Sequence, residues 1–441
     1  MDVLVLGAGR SSWYLLDYLN RTALSEGWSV LACDMDIAAL QKRTGGMQAV
    51  TGMQLDVENS TALEEQIKQS RVVVSLLPPS MHSRVATLCL TCNVHLATAS
   101  YVSTEMQALH TGAKEKGLVF LNELGLDPGI DHLSAMQILN DLRAGGCEIL
   151  SFESYCGGLV HPDDEGDNPW KYKFSWNPRN VVLAGQGGMA MFRKDGQIRY
   201  VPPHRLFAVA ETMQIPGIGS FDAYANRDSL GYEQMYGLEQ ASTIVRGTLR
   251  RAGFCSAWQV LVALGFTDAV SPLAHGISSA AELVRCLTGL KQGGKLSDWL
   301  LHAGIINPGQ ARYFDFLNLE NQNEKVENAV YAADILQHSL LKSWALRSSD
   351  RDEVVMYHRV KGVKGDRPFE VHSTFRLAGK DSEHTAMAAT VGIPLAMGVV
   401  RILRNEVMGK GVVVPVASEW YESLLPRLKE EGIFFTETRE F

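Results

Sequence analysis

Cysteine, blocks of like charge and long apolar runs are all scarce in this 441-residue chain, and each shortage removes a class of protein. The seven cysteines (33, 89, 92, 147, 156, 255 and 286) are odd in number and scattered, so they form no disulfide framework and read as reduced thiols. Cys89 and Cys92 make a C-x-x-C. No second pair stands at zinc spacing, and the neighbouring residues read as a helix interior, so inert thiols are expected. No block of lysine or arginine interrupts a net charge of −8, which argues against nucleic acid and anionic membranes as partners. No run of about 18 uncharged apolar residues suggests a membrane span. A strand-like run starts at residue 2 and leaves no room for a leader, so a cytoplasmic location is expected. Repeats and low-complexity segments are also lacking. What remains is an ordinary globular composition, long enough for two or three domains.

The first organised feature is the turn that follows Asp2-Val3-Leu4-Val5-Leu6. Such a short apolar run suits a buried parallel strand. Gly7-Ala8-Gly9-Arg10-Ser11-Ser12 comes next, then a helix-like stretch, then a second apolar run ending on Asp34. Strand, glycine turn, helix, strand, acid is the order of a dinucleotide-binding βαβ unit. Gly7 and Gly9 let the backbone bend and approach a pyrophosphate, and the N-terminus of the helix that follows offers it free N–H groups. The third glycine of the usual pattern is Ser12, small enough for helix and strand to pack. Asp34 lies 22 residues after Ser12. A carboxylate there accepts hydrogen bonds from ribose hydroxyls and repels a 2′-phosphate, which predicts NAD rather than NADP.

Alternation of apolar runs and helical periods continues to about residue 125, with polar or turn residues ending the runs at Asp56-Val57, Pro78-Pro79, Ser100-Tyr101 and Asn122-Glu123. Residues 1–125 therefore read as a doubly wound, Rossmann-like parallel sheet. Asp127 with Pro128 behind it looks like the N-cap of a new helix. From about residue 149 the pattern becomes mixed, with strand-like runs at 149–156, 180–184, 198–201, 353–360 and 369–377. Residues 126–237 and 348–384 read as a mixed α/β domain, interrupted by a mostly helical stretch at 238–347. The apolar helix predicted over 385–405 makes 385–441 a candidate to return to the first domain.

The polar side chains with chemical potential cluster in a few stretches. These are Ser100-Tyr101, Asn122-Glu-Leu-Gly-Leu-Asp-Pro-Gly-Ile-Asp-His132, Ser154-Tyr-Cys-Gly-Gly158 and Tyr172-Lys-Phe-Ser-Trp176. Asn226-Arg-Asp-Ser229, Val245-Arg-Gly-Thr-Leu-Arg250 and Ala388-Ala-Thr-Val-Gly392 complete the set. In order and over nearly the whole chain, these stretches resemble the glutamate-forming saccharopine dehydrogenases.

The resemblance implies a substrate domain that also dimerises, hence a homodimer, and cleavage or formation of the secondary amine of saccharopine in lysine metabolism. It places Tyr101, Asp127 and Cys156 near the reacting C–N bond as the proton-handling groups, without deciding which is acid and which is base. Ser100, Tyr101 and Asp127 are implied substrate contacts, with Arg227, Arg246 and Thr248 beside them and Arg250 a further candidate. Guanidinium groups suit a tricarboxylate because they bind carboxylates bidentately. On the cofactor side, the resemblance implies Gly7, Gly9, Arg10 and Ser11 at the phosphates, Asp56 and Val57 at the adenine, Leu77 at the nicotinamide ribose and Ser175 closing over the dinucleotide. No metal is expected, since the chemistry needs hydride geometry and a proton shuttle. Glu123, Asp131 and His132 could pass for ligands but read as packing or capping groups, and Lys171 and Lys173 as a solvated face. One departure stands out: fungal members that use NADPH carry an arginine where this chain has Asp34. A carboxynorspermidine-type reductase and a dinucleotide sensor without turnover are the alternatives.

Overall fold

The computed structural model describes residues 1–9, 12–186, 188–274 and 276–440. They form two compact units, Met1–Gly145 with Glu383–Phe435, and Gly146–Ser382 with Thr436–Phe441. The strands, in chain order, begin with β1 (Val3–Leu6), β2 (Val30–Asp34), β3 (Val50–Gln54), β4 (Val72–Ser75), β5 (His95–Ala97) and β6 (Val119–Leu121). They continue with β7 (Glu148–Val160), β8 (Ala190–Lys194), β9 (Gln197–Val201), β10 (Glu211–Ile215) and β11 (Gly219–Ala225). The last five are β12 (Thr243–Arg251), β13 (Asp352–Lys364), β14 (Arg367–Ala378), β15 (Gly411–Val413) and β16 (Thr436–Glu440).

In the first unit, seven parallel strands lie in the order β15-β6-β5-β4-β1-β2-β3. β1 and β4 are buried at every position, as expected of strands covered on both faces. Helices Ser60–Lys68 and Pro79–Cys92 cover one face through Leu63, Ile67, Val85 and Cys89, packed on Leu4, Val73 and Leu96. Burial pushes the Cys89 thiol well up, as suits an inert core group. Helices Trp13–Glu26 and Ala386–Leu403 pack on each other. Their closeness depends on Gly392, where an added Cβ would lie 2.8 Å from the Leu15 nitrogen. Ala386–Leu403, the apolar helix expected over 385–405, is long and apolar enough to cross a membrane. However, 94% of its residues are buried inside the protein. Strand order reverses at β1, between β4 and β2. That reversal is where open α/β sheets bind ligands, outside the carboxyl ends of the strands.

The second unit is built on a nine-stranded mixed sheet, β10-β11-β12-β7-β13-β14-β16, with β8 pairing both β12 and β9. Only β12 and β7 run parallel. One of its cores gathers Trp170, Tyr172, Phe254, Trp258, Phe314 and Trp344 under the helices of 254–343. One strand expectation fails here. Residues 178–182 form the short helix Pro178–Val182, not a strand. Asn177 accepts a hydrogen bond from the Arg179 N–H at 2.9 Å and Pro178 takes the first helical position. That start signal outweighs the β preference of Val181 and Val182.

Candidate active site

The cofactor edge of the first unit forms because β1 stops at Gly7. Gly7 adopts φ +83°, and an added Cβ would stand 3.2 Å from the Leu76 backbone and from Leu77, so glycine is needed for the turn to pass β4. At exposed Gly9 an added Cβ would meet nothing within 4 Å. The protein's own atoms therefore set no need for glycine there, while a close-lying pyrophosphate would. Arg10 and Ser11 lie outside the described residues. Asp34 ends β2, Asp56 and Val57 follow β3, and Leu77 follows β4, all at the carboxyl edge. The Asp34 carboxylate accepts the Asp36 N–H at 3.0 Å, and Asp56 accepts the Glu58 N–H at 2.9 Å. Arg43, unremarked in the sequence reading, donates to the Ala8 carbonyl and so brings a guanidinium to the glycine turn. Turn, acid and guanidinium together fit a nicotinamide dinucleotide.

On the same edge, Tyr101 and Asp127 come together: the phenol donates to Asp127 Oδ1 at 3.1 Å. Asp127 is not the cap that its sequence suggested. The helix runs Ile130–Ala144 with Gly129 at its N-cap, and the Gly129 N–H donates to Asp131 Oδ1 at 2.6 Å. The Asp127 carboxylate accepts from Tyr101 instead. Gly125 lets the two loops meet, since a Cβ there would come within 2.8 Å of the Ala99 Cβ. Glu123 and His132 hold the arrangement from below. Buried His132 Nε2 lies 3.0 Å from Glu123 Oε2, and Glu123 Oε1 accepts the Val102 N–H at 2.9 Å. A phenol on a partly buried carboxylate is a pair that can pass a proton.

His82 belongs to this edge too, and sequence reasoning missed it. It lies in the first turn of helix Pro79–Cys92, 5% exposed, with Nδ1 2.8 Å from Ser75 Oγ and Nε2 2.8 Å from Ser100 Oγ. Burial lowers its pKa to about 4, so the ring is neutral near pH 7. The available signal was its place, four residues after Pro78, itself in the turn beyond the end of β4.

In the second unit, one face of the sheet carries Cys156, Thr248 and Arg250. Cys156 on β7 pairs with Thr248 on β12, and Thr248 with Tyr224 on β11. Cys156 is 8% exposed. The Tyr224 phenol, pushed up to about 12 chiefly by burial, shares a hydrogen bond with Thr248. Buried Arg250 lies 5.2, 5.9 and 5.6 Å from the rings of Tyr172, Tyr224 and Phe254, within electrostatic reach of Cys156. Arg246 is buried with its guanidinium 4.1 Å from the Tyr232 ring. Arg227 is exposed at the end of β11, and the Asn226 N–H donates to the Arg246 carbonyl at 2.8 Å, so both arginines leave the sheet at one end. Ser175 is buried, and its hydroxyl has no hydrogen-bond partner among the described residues. Lys173 is not a solvated side chain: it is buried and donates to Asp350 Oδ2 at 2.6 Å. Among the described residues, no three His, Cys, Asp or Glu side chains gather as a metal site would require.

Comparison with known proteins bears on both units. Residues 3–121 match the family model described as the saccharopine dehydrogenase NADP binding domain, and residues 125–433 match the saccharopine dehydrogenase C-terminal domain. The chain is 32% identical over 98% of its length to saccharopine dehydrogenase [NADP(+), L-glutamate-forming] of Pyricularia oryzae, covering 97% of that protein. It is 33% identical over 99% of its length to the alpha-aminoadipic semialdehyde synthase of Arabidopsis thaliana, of which it spans 45%. The solved apo saccharopine dehydrogenase (L-Glu forming) of Saccharomyces cerevisiae superposes with a TM-score of 0.87 at 29% identity, over 100% of both chains. These findings overturn the expectation of NAD. The matching nucleotide-binding model is an NADP binding domain, and the fungal relatives are named for NADP(+). The physical reason lies in what Asp34 alone could not reveal: its carboxylate closes a turn with Asp36, and Arg43 adds a cation at the glycine turn.

Proposed function

This chain belongs to the saccharopine dehydrogenase family, and from that premise we propose that it is an NADP-dependent oxidoreductase cleaving the secondary amine of saccharopine. The products are L-glutamate and 2-aminoadipate 6-semialdehyde. The nicotinamide, when bound, accepts the hydride released from the carbon of the C–N bond. Water then adds to the substrate imine, and the carbinolamine collapses to amine and aldehyde. The protein's part is to place groups and move protons. The observation that carries the reading is the Tyr101–Asp127 hydrogen bond at 3.1 Å, on the strand edge that also bears the glycine turn. Asp127 can take a proton from Tyr101 as the phenol receives one from the nitrogen, and return it as the phenol gives one to the nitrogen. Cys156 is assigned the third proton-handling role, and Ser100, Thr248, Arg227 and Arg246 the substrate's polar groups. Arg43 is assigned the 2′-phosphate, because guanidinium binds phosphate bidentately. Assigning substrate binding and homodimerisation to the second, mixed domain and a cytoplasmic location to the chain belongs to the same proposal.

The test is direct. Purified protein is mixed with saccharopine, and nicotinamide reduction is followed at 340 nm with NADP+ and NAD+ in parallel. Turnover with NADP+ is expected. Turnover with NAD+ alone would keep the reaction and remove Arg43 from its role. Binding of NADPH without oxidation of saccharopine would sink the proposal.

A further inference from the structure

His82 is in none of the roles assigned so far, yet it sits where two strand ends of the cofactor edge meet. Ser75 is the last residue of β4, next to Leu76 and Leu77 that flank the glycine turn. Ser100 lies just beyond β5 and precedes Tyr101. The imidazole spans them, with 2.8 Å contacts on each side and a longer one of 3.4 Å to Thr98 Oγ1. Ser75 is 1% exposed and Thr98 also 1%, so the ring is bounded by hydroxyls and core and has no charged partner among the described residues. A buried histidine of this kind must find partners for both nitrogens or lose the desolvation energy of each. That requirement works in both directions. The ring fixes Ser100 as firmly as Ser100 fixes the ring.

We propose that His82 is a positioning residue for the reaction, holding the Ser100 hydroxyl, and with it the turn that presents Tyr101, through the Ser75–His82–Ser100 hydrogen-bond chain. A neutral imidazole has two tautomers. With the proton on Nε2, Ser100 accepts and its own hydrogen points away, free to be donated to a substrate oxygen. With the proton on Nδ1, Ser100 donates to the ring and can only accept from substrate. The chain thus sets the donor or acceptor character of Ser100 without placing a charge beside it. Such indirect control resembles the way outer hydrogen bonds orient reacting groups.

The inference rests on the functional reading above, and the experiment separates their failures. An asparagine side chain places its amide where Nδ1 stood, and a glutamine places its amide where Nε2 stood. His82→Asn therefore keeps Ser75 and loses Ser100, whereas His82→Gln keeps Ser100 and loses Ser75. Steady-state kinetics with saccharopine and NADP+, NADPH binding and melting temperature are measured for both, for Ser100→Ala, and for the His82→Asn/Ser100→Ala double variant. Expected is a fall in kcat of about 10- to 100-fold in His82→Asn, as for the loss of one buried hydrogen bond or more. His82→Gln should stay within about threefold of wild type, and NADPH affinity within about twofold in all variants. In the Ser100→Ala background, His82→Asn should add almost nothing, because the two act as one unit. Equal losses in the two His82 variants, a larger loss in glutamine, or additive losses in the double variant would overturn the inference. Wild-type protein that binds NADPH and leaves saccharopine untouched would instead overturn the functional reading.

Discussion

At the scale of single residues, burial decides what the ionisable groups of the cofactor edge can do. His82 illustrates the sign. Its folded pKa of about 4 lies below the ordinary value of 6.5 because the ring is desolvated. The unfolded chain then binds more protons between those values, so stability is complete above about pH 6.5 and declines as pH falls through the folded pKa. The contribution lost by pH 5 is about 2 kcal/mol. Urea titrations at pH 7 and pH 5 should show that fall in wild type and a smaller one in His82→Gln, which cannot titrate. The same slope in both would mean that another group dominates. Asp127 and Tyr101 make a second residue-scale prediction. Asp127→Asn keeps the shape of the side chain but removes its ability to take a proton from the phenol. We expect kcat lower by about 10²-fold or more with the melting temperature little changed. Loss confined to KM would give Asp127 a binding role only.

Elements carry the next layer, and here the sequence was legible where period and turn chemistry agreed. The glycine turn, the turn residues Asp34, Pro78 and Tyr101 at or after strand ends, and the alternation through residue 125 all register in the pattern because central strands such as β1 and β4 are buried on both faces. Legibility failed where one local signal stood in for tertiary context. Asp127-Pro128 carries a cap signature, yet the helix begins at Ile130, since Asp131 supplies the oxygen for the Gly129 N–H. His82 has no motif at all, and only the folding together of β4, β5 and its helix gives it Ser75 and Ser100. Lys173 looked like a surface charge because its partner Asp350 is 177 residues away. The cofactor reading failed similarly: one acid at the end of β2 was visible, whereas Arg43 reaches the turn from the following helix, Ile37–Thr44. Helix packing offers a test at this scale. Gly392 faces Leu15, and a side chain there must displace backbone, not a flexible tip. Gly392→Val should cost about 1–3 kcal/mol by overpacking. Thermal unfolding would register it, and an unchanged midpoint would show that the two helices can part freely.

Across the whole molecule, each unit supplies its own core, and the second unit gathers three tryptophans in one aromatic cluster. Trp344 is fully buried there, with ring centroids 5.4 Å from Trp170, 5.3 Å from Tyr172 and 5.7 Å from Trp258. Its carbonyl accepts the Phe174 N–H at 2.8 Å, tying down the strand-like segment that carries Ser175. The same cluster presents Tyr172 and Phe254 to the Arg250 guanidinium, so packing and electrostatics share a wall. The two tryptophans differ in one respect. Trp170 Nε1 donates to the Tyr313 carbonyl at 2.9 Å, whereas Trp344 Nε1 has no partner among the described residues. Removing the indole N–H from Trp344 therefore breaks no hydrogen bond among the described residues, while removing it from Trp170 loses a buried one to the Tyr313 carbonyl. Trp344→Ala should cost about 3–5 kcal/mol, with Trp344→Phe costing much less. Trp170→Phe should cost about 1 kcal/mol more than Trp344→Phe, from the lost buried hydrogen bond. Denaturant unfolding of the three variants, with hydrogen exchange to locate the loss within residues 146–382, measures both differences. If Trp344→Phe proves as costly as Trp170→Phe, the Trp344 indole N–H has a partner in solution, and the cluster is held by polar as well as aromatic contacts.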